Sequence, residues 1–342
     1  MRRLADFLVS PLMKWLLIVL AILFPLFIND DYKVYVMSMS FVMAIAVYGM
    51  NILTGYCGQL NLAHGAFFAI GAYVVAILGA DHGWSFWSGF IMAGLFVAVL
   101  GFLAGIVSLR LSEHYFAIFT MCVGFIIYIV IDKWDTLTNG PVGIMGIPTP
   151  EGFGLVDFSA TIPFYYLALF LMVIAIWIAS RIGHSILGRT FFAIRNSEEL
   201  AQSLGINLMR NKLLAFVIST VYAGLAGALY AGMVGFIGPD EADVTNTFEM
   251  LTFLLIGGIG TVMGPLAGTI LVTWLTQILQ FLEDFRMIVF GPLLIILVIG
   301  MPKGLIGNFL FWRDRKVAEE QTARLAAEQK QVEKQVEEKN RA

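Results

Sequence analysis

Charge is what this chain has least of. Only 13% of its 342 residues are Asp, Glu, Lys or Arg, about half the share in ordinary soluble domains. With 59% hydrophobic residues beside them, a water-facing surface cannot be assembled, and the chain reads as an integral membrane protein. Cysteine is scarce as well: Cys57 and Cys122 show neither metal-ligand spacing nor a disulfide framework. The net charge of −3 argues against nucleic acid as a partner. No Gly-x-x-x-x-Gly-Lys-Ser/Thr phosphate loop occurs, so this chain does not hydrolyse ATP by that route. His-Glu-x-x-His and Gly-x-Ser-x-Gly are missing too. So are paired intramembrane carboxylates, which leaves a proton relay with few parts. No enzyme chemistry, cofactor or metal is expected on the chain itself.

Apolar runs of about 20 residues take up the space instead, the length a helix needs to cross a hydrocarbon core. The alternating ten-residue segments of an outer-membrane barrel are not seen. Spans are predicted at roughly 12–28, 34–53, 61–79, 86–109, 115–131, 162–180, 213–236, 249–260, 264–281 and 287–300. The expected fold is all-α: a polytopic bundle of about 8–10 transmembrane helices, some of them interrupted. Between 249 and 281 glycines and Pro265 break the pattern, and two readings stand: two short crossings, or a broken pair of half-helices. Arg2 and Arg3 precede the first run and no small-x-small cleavage pattern follows it, so a retained first span is expected.

Basic residues orient the bundle, since cytoplasmic loops carry the Lys and Arg excess. The 181–212 loop holds Arg181, Arg189, Arg195, Arg210 and Lys212. The 132–161 loop sets Lys133 against Asp132, Asp135, Glu151 and Asp157. The 238–247 loop has Asp240, Glu241 and Asp243 and no base. With Arg2 and Arg3 inside, alternation puts 132–161 and 238–247 outside and 181–212 in the cytoplasm, with both termini. The chain divides into a membrane unit, 1–312, and a charged tail, 313–342. The tail's thin stripe of Val317, Leu325, Val332 and Val336 is too sparse for a coiled coil, and a solvated cytoplasmic helix is expected.

Within the membrane unit one polar interruption, Gly188 to Lys212, has its own punctuation. Asn196 is positioned to cap a helix, Glu199 three residues on completes a capping box, and Gly205 supplies a left-handed stop. A loop that merely joins two spans needs no capped helix, whereas one that docks on another protein does. A second interruption, Gly55 to Tyr73, puts four glycines beside Gln59, Asn61 and His64 near membrane depth. Asn61 is placed to cap a helix that begins inside the membrane. The segment is either a broken helix on a translocation route or tight packing through Gly65, Ala69 and Ala72, with His64 bonded to a neighbouring helix. Gly257 to Gly268 is a rough counterpart in the second half, with Gly258 and Gly260 at the break. Ala223-Gly224-x-x-Gly227-Ala228-x-x-Ala231-Gly232 implies close helix contact, within the chain or across a dimer. Glu249, which opens a span, is either an intramembrane functional acid or plainly solvated near the interface. Asp240, Glu241 and Asp243 are either a soluble loop or receive basic groups of an external partner.

Taken in order, these segments resemble the membrane-spanning permease subunits of ABC importers for branched-chain amino acids, the LivM family. The strongest piece runs from Gly188-Arg189 through Ala193-Ile194-Arg195, Glu199-Leu200-Ala201 and Ser203-Leu204-Gly205-Ile206-Asn207. It is similar to the family's coupling motif, with Leu200 in place of its middle Ala. Gly58 to Tyr73, Tyr115-Phe116-Ala117-Ile118, Gly140 to Gly146 and Gly257-Gly258-Ile259-Gly260 add to it. The resemblance implies that an ABC ATPase subunit, carrying ATP and Mg, grips the 196–205 helix through Arg195, Glu199, Ala201 and Gly205. It implies a second, LivH-like permease as heterodimer partner and a periplasmic or surface-tethered substrate-binding protein. The setting is then the bacterial inner membrane and its lipid, and the cargo Leu, Ile or Val. Gln59, Asn61, His64, Gly258 and Gly260 are the residues expected on the pathway. A related permease for urea or short amides and an ATP-independent channel are the alternatives.

Overall fold

The computed structural model describes residues 11–28, 30–111, 113–152, 157–279 and 304–308. Helix α1 (Pro11–Phe27) is followed by α2 (Asp31–Met50), which runs on as a π-helical turn, Asn51–Tyr56. Next come α3 (His64–Ala76), α4 (Phe86–Ser108), α5 (Glu113–Lys133) and the single turn α6 (Asp135–Thr138). The second half holds α7 (Thr161–His184), α8 (Ile186–Asn196), α9 (Glu198–Ser203), α10 (Leu208–Val234), α11 (Val244–Gly257) and α12 (Gly264–Ile278). Among the described residues six helical stretches are long and apolar enough to cross a bilayer: Asp31–Tyr56, His64–Asp81, Phe86–Ser108, His114–Lys133, Thr161–His184 and Leu208–Val234. The chain is a polytopic helical membrane protein, and α1 coincides with the predicted run at 12–28. The predicted span 287–300, Arg2, Arg3 and the tail after Arg313 lie outside the described residues.

Helix α2 is the axis of the bundle, with 83% of its most apolar window buried. Its sequence accounts for that position. From Val34 to Met50 it carries no charge, and the hydroxyls of Ser38 and Ser40 turn back to the carbonyls of Val34 and Val36 at 2.9 Å. With those buried hydroxyls satisfied, it can be surrounded by α7, α10 and α12. Helices α4 and α5 are the opposite case, with only 22% of their windows buried. Ile91, Leu95, Val99 and Leu103 form an exposed row at four-residue spacing on α4, a surface that suits lipid and not water.

The small-residue stripe of α10 is used within the chain. Gly224 lies against the backbone of Gly71 on α3 and the side chain of Val97 on α4, and Gly227 lies against the Phe68 carbonyl. Helix association in lipid depends on such close backbone approach, because lipid is as apolar as leucine. Helix α3 begins at His64, level with Ala46 on α2 and Ser219 on α10, both near the middle of their helices. A helix that starts inside the bundle is what the glycine-rich segment before it predicts.

Helices α11 and α12 bear on the other open reading. Over the described residues they have 14 and 15 residues, about 21–23 Å against the ~30 Å hydrocarbon core. They fold back on each other, Gly257 against Gly264 and Gly268 against the Phe253 carbonyl. Over those residues the pair is a half-helix hairpin with its break at 258–263. At the opposite end of the bundle a two-residue ladder, β1 (Ile144–Met145) on β2 (Phe236–Ile237), straps the loop after α6 to the loop after α10.

Candidate functional site

The polar interruption folds as two helices, where the sequence predicts one. Ser185 caps α8, its hydroxyl accepting from the Gly188 N–H at 3.2 Å, and α8 buries Phe191 and Ile194. Asn196 is therefore the last residue of α8 and not a cap. The cap of α9 is Ser197, in extended backbone, whose hydroxyl accepts from the Leu200 N–H at 3.2 Å. The predicted box of Asn196 with Glu199 is thus displaced by one residue, and the helix spans 198–203 instead of 196–205. Glu198 and Glu199 fall in its first turn, where carboxylates complement the helix dipole.

Gly205 ends α9 as expected. Its φ is +82°, its N–H donates to the Gln202 carbonyl at 2.9 Å, and Ile206 N–H donates to the Ala201 carbonyl at 3.1 Å. That is a Schellman stop, which satisfies the carbonyls a helix end leaves open. Asn207 then caps α10 through the Arg210 N–H at 3.0 Å. The loop has an inner and an outer face. Ala201, expected at a partner surface, is 1% exposed and packs inward, whereas Leu200 and Leu204 are 62% and 72% exposed beside Glu199.

Two side chains tie this loop to the helix breaks. Glu198 Oε1 accepts from Lys212 Nζ at 2.5 Å and from Gln59 Nε2 at 3.1 Å, joining α9 to α10 and to the segment after α2. Arg195 Nη1 donates to the Gly55 carbonyl in the π turn, and its stem lies against Gly58, whose φ is +79°. Gly260, also at φ +79°, sits over the same guanidinium.

The hairpin tip that contains Gly260 is held by α2. Gly260 N–H donates to Asn51 Oδ1 at 2.8 Å, Asn51 Nδ2 donates to the Thr261 carbonyl at 3.0 Å, and the Tyr48 hydroxyl donates to the Val262 carbonyl at 2.8 Å. Thr261 closes the turn internally, its hydroxyl donating to the Gly258 carbonyl and accepting from the Gly264 N–H. Irregular backbone at membrane depth persists only where protein or water satisfies it. Here side chains do so.

The structure thus gathers Gln59, Arg195 and Gly260 into one junction, with Gly258 next to it and Gly205 closing α9. Asn61 and His64 sit apart, at mid-bundle. Asn61 Oδ1 accepts from the Ala63 N–H at 2.9 Å and closes the turn before α3, but it is not the cap of that helix that the sequence predicts: the cap position is Ala63, which has no side-chain cap bond. His64 bridges the Ala46 carbonyl (2.9 Å) and the Ser219 hydroxyl (3.5 Å). Glu198, Asn51 and Tyr48 escaped the sequence reading. Asn51 had a usable signal, since it is a lone carboxamide in an apolar run.

The acids at the far end have local work. Asp243 caps α11 through the Thr245 N–H at 2.7 Å. Glu241 accepts from the Tyr230 hydroxyl at 2.7 Å and from Asn246 Nδ2 at 3.1 Å. Burial raises its carboxyl above the ordinary range against those two bonds, and Glu249 and Asp240 push the same way.

The Glu198–Lys212 pair gives a stability prediction. Lys212 is the more enclosed partner, 8% exposed against 29%. Glu198→Ala is expected to cost about 3 kcal/mol by leaving a buried ammonium with no counter-charge. Lys212→Met should cost less, and the double variant less than the sum. Thermal unfolding of the purified protein in detergent measures all three, and equal single-variant losses would contradict the asymmetry.

Residues 32–298 match the family described as branched-chain amino acid transport system / permease component. The chain is 33% identical over 313 residues to the high-affinity branched-chain amino acid transport system permease protein LivM of Escherichia coli K12, covering 85% of this chain and 73% of that one. Its identity to LivM of Salmonella typhimurium LT2 is 32% over 312 residues, with the same coverage. To LivH of Escherichia coli K12 it is 26% over 284 residues, 78% of this chain and 91% of that one. No solved structure matches.

Proposed function

Because the chain belongs to the branched-chain amino acid permease family of ABC transporters, we propose that it carries Leu, Ile or Val inward as one permease of an importer. A separate ATPase subunit with ATP and Mg drives it, and an external substrate-binding protein feeds it. The observation that supports this most is the outer face of α9. A six-residue helix, capped at both ends, holds Leu200 and Leu204 in the open beside Glu199. Two exposed leucines, one in this short capped helix and one just after it, suit a pocket on another protein. In this reading the end with α9, and both chain termini, is cytoplasmic, which the excess of Lys and Arg in the 181–212 loop supports, and the strapped, acidic end faces the binding protein. The partner permease is a second member of the family of the LivH type, set against the apolar flanks of the bundle. The membrane is the bacterial inner one.

The test is reconstitution of the complete complex in proteoliposomes with labelled leucine. ATP is expected to raise uptake about tenfold or more, with excess isoleucine or valine competing and urea not. Uptake that proceeds equally without nucleotide would make the chain a facilitator. Competition by urea alone would reassign the cargo.

A further inference from the structure

We infer that the 258–263 tip of the half-helix hairpin is the part of the bundle that the α8–α9 loop moves, and that Arg195 is the positioning residue joining the two. This rests on the reading of that loop as the ATPase-facing element. The sequence places Arg195 among basic residues flanking a docking helix, which points its charge at a partner chain. The structure turns it inward. Its guanidinium donates to the Gly55 carbonyl, and its stem supports Gly58. A methyl group on Gly260 would stand 2.9 Å from its Nη1 and 3.2 Å from the Gly55 oxygen. Two backbone segments that lie far apart in the sequence, Gly55–Gly58 and Gly260, therefore meet one side chain of the loop.

Among the described residues the tip has no full-length helix of its own, and Gly304 packs against it at Gly258. Both of its arms are short helices over the described residues, and its backbone is held by Tyr48 of α2 and by Asn51, the first residue of the π turn that contains Gly55. A shift of α8 is thus passed through Arg195 to the π turn, and through Asn51 to Gly260 and Thr261. The first half of the tip carries two glycines at positive φ, Gly258 at +120° and Gly260 at +79°, so it can pivot there where a regular span cannot. Glu198, gripping Lys212 and Gln59, fixes the neighbouring part of the loop to α10 and gives the motion a fulcrum.

The complete complex in proteoliposomes tests this, with labelled leucine uptake and ATP hydrolysis measured side by side. Arg195→Met is expected to lower leucine moved per ATP hydrolysed by about tenfold or more. Arg195→Lys should recover part of the ratio, because an ammonium can still donate to the Gly55 carbonyl. Gly260→Ala, which crowds the guanidinium from the other side, should give the same fall. A wild-type ratio in Arg195→Met overturns the inference. Loss of the ATPase from the purified Arg195→Met complex also overturns it, by placing Arg195 on the partner's surface, and leaves the proposed function standing. If Arg195→Met does not accumulate, wild-type ratios in both Arg195→Lys and Gly260→Ala overturn it. Nucleotide-independent uptake by the unaltered complex would instead remove the reading beneath it.

Discussion

Valine at position 227 is expected to leave little folded protein in the membrane. A Cβ there would land on the Phe68 carbonyl, well inside the 3.0 Å that real Cβ atoms respect. The obstacle is backbone, so no rotamer change can relieve it, and α10 must back away from α3. Backing away also opens the neighbouring contact, Gly71 on Gly224. Overpacking a core usually costs about 1–3 kcal/mol, but here a whole helix interface separates. In lipid no hydrophobic drive pulls the helices back together, since association there rests on packing itself. Gly89→Ala is the matched control on α4. Its added methyl meets only Val75, at 3.5 Å and beyond, an ordinary contact. Membrane-fraction yield and monodispersity after detergent extraction should collapse for Gly227→Val and hold for Gly89→Ala. A monodisperse Gly227→Val protein at normal yield would show that the α3–α10 contact does not carry the bundle.

The stripe that makes position 227 so sensitive was visible in the sequence, but its partner was not. Small residues at four-residue spacing announce a close contact and say nothing about which helix supplies the other side. Gly71, Phe68 and Val97 answer that from elements more than a hundred residues away. The long spans were legible because a bilayer imposes one length on every crossing. The start of α3 inside the bundle was legible too, since Gly58, Gln59, Asn61 and His64 together cannot continue a lipid-exposed helix.

What stayed hidden was chosen by distance, not by local pattern. Asn196 and Ser197 are both good caps, and local sequence favours Asn196 because Glu199 completes its box. Phe191 and Ile194 decide otherwise, because burying them extends α8 through Asn196. Moving the cap by one residue then turns Glu198 toward Lys212 and leaves Leu200 and Leu204 in the open. The grip of Asn51 on Gly260 and Thr261 spans about two hundred residues, which no periodicity reports. The junction is therefore built mostly from pairs that only the folded chain brings together.

Gly205→Pro is expected to abolish transport while the protein still inserts. The position has φ +82°, and proline is confined to about −65°. Proline also lacks the N–H that donates to the Gln202 carbonyl, and the distorted chain takes Ile206 away from the Ala201 carbonyl. Both bonds of the stop are lost together. Helix α9 has six residues, far below the length at which a helix persists without support. Without its stop it cannot hold Leu200 and Leu204 as one surface. The damage ends there, because Asn207 caps α10 independently through Arg210. ATP-driven leucine uptake should fall roughly a hundredfold, the equivalent of about 3 kcal/mol of coupling. Protein in the membrane fraction should stay within about twofold, because the apolar bundle is untouched. Gly205→Ala should be intermediate, since a left-handed alanine costs about 1–2 kcal/mol yet keeps its N–H. Uptake by Gly205→Pro at the wild-type rate would mean that α9 is not the element through which nucleotide acts on this bundle.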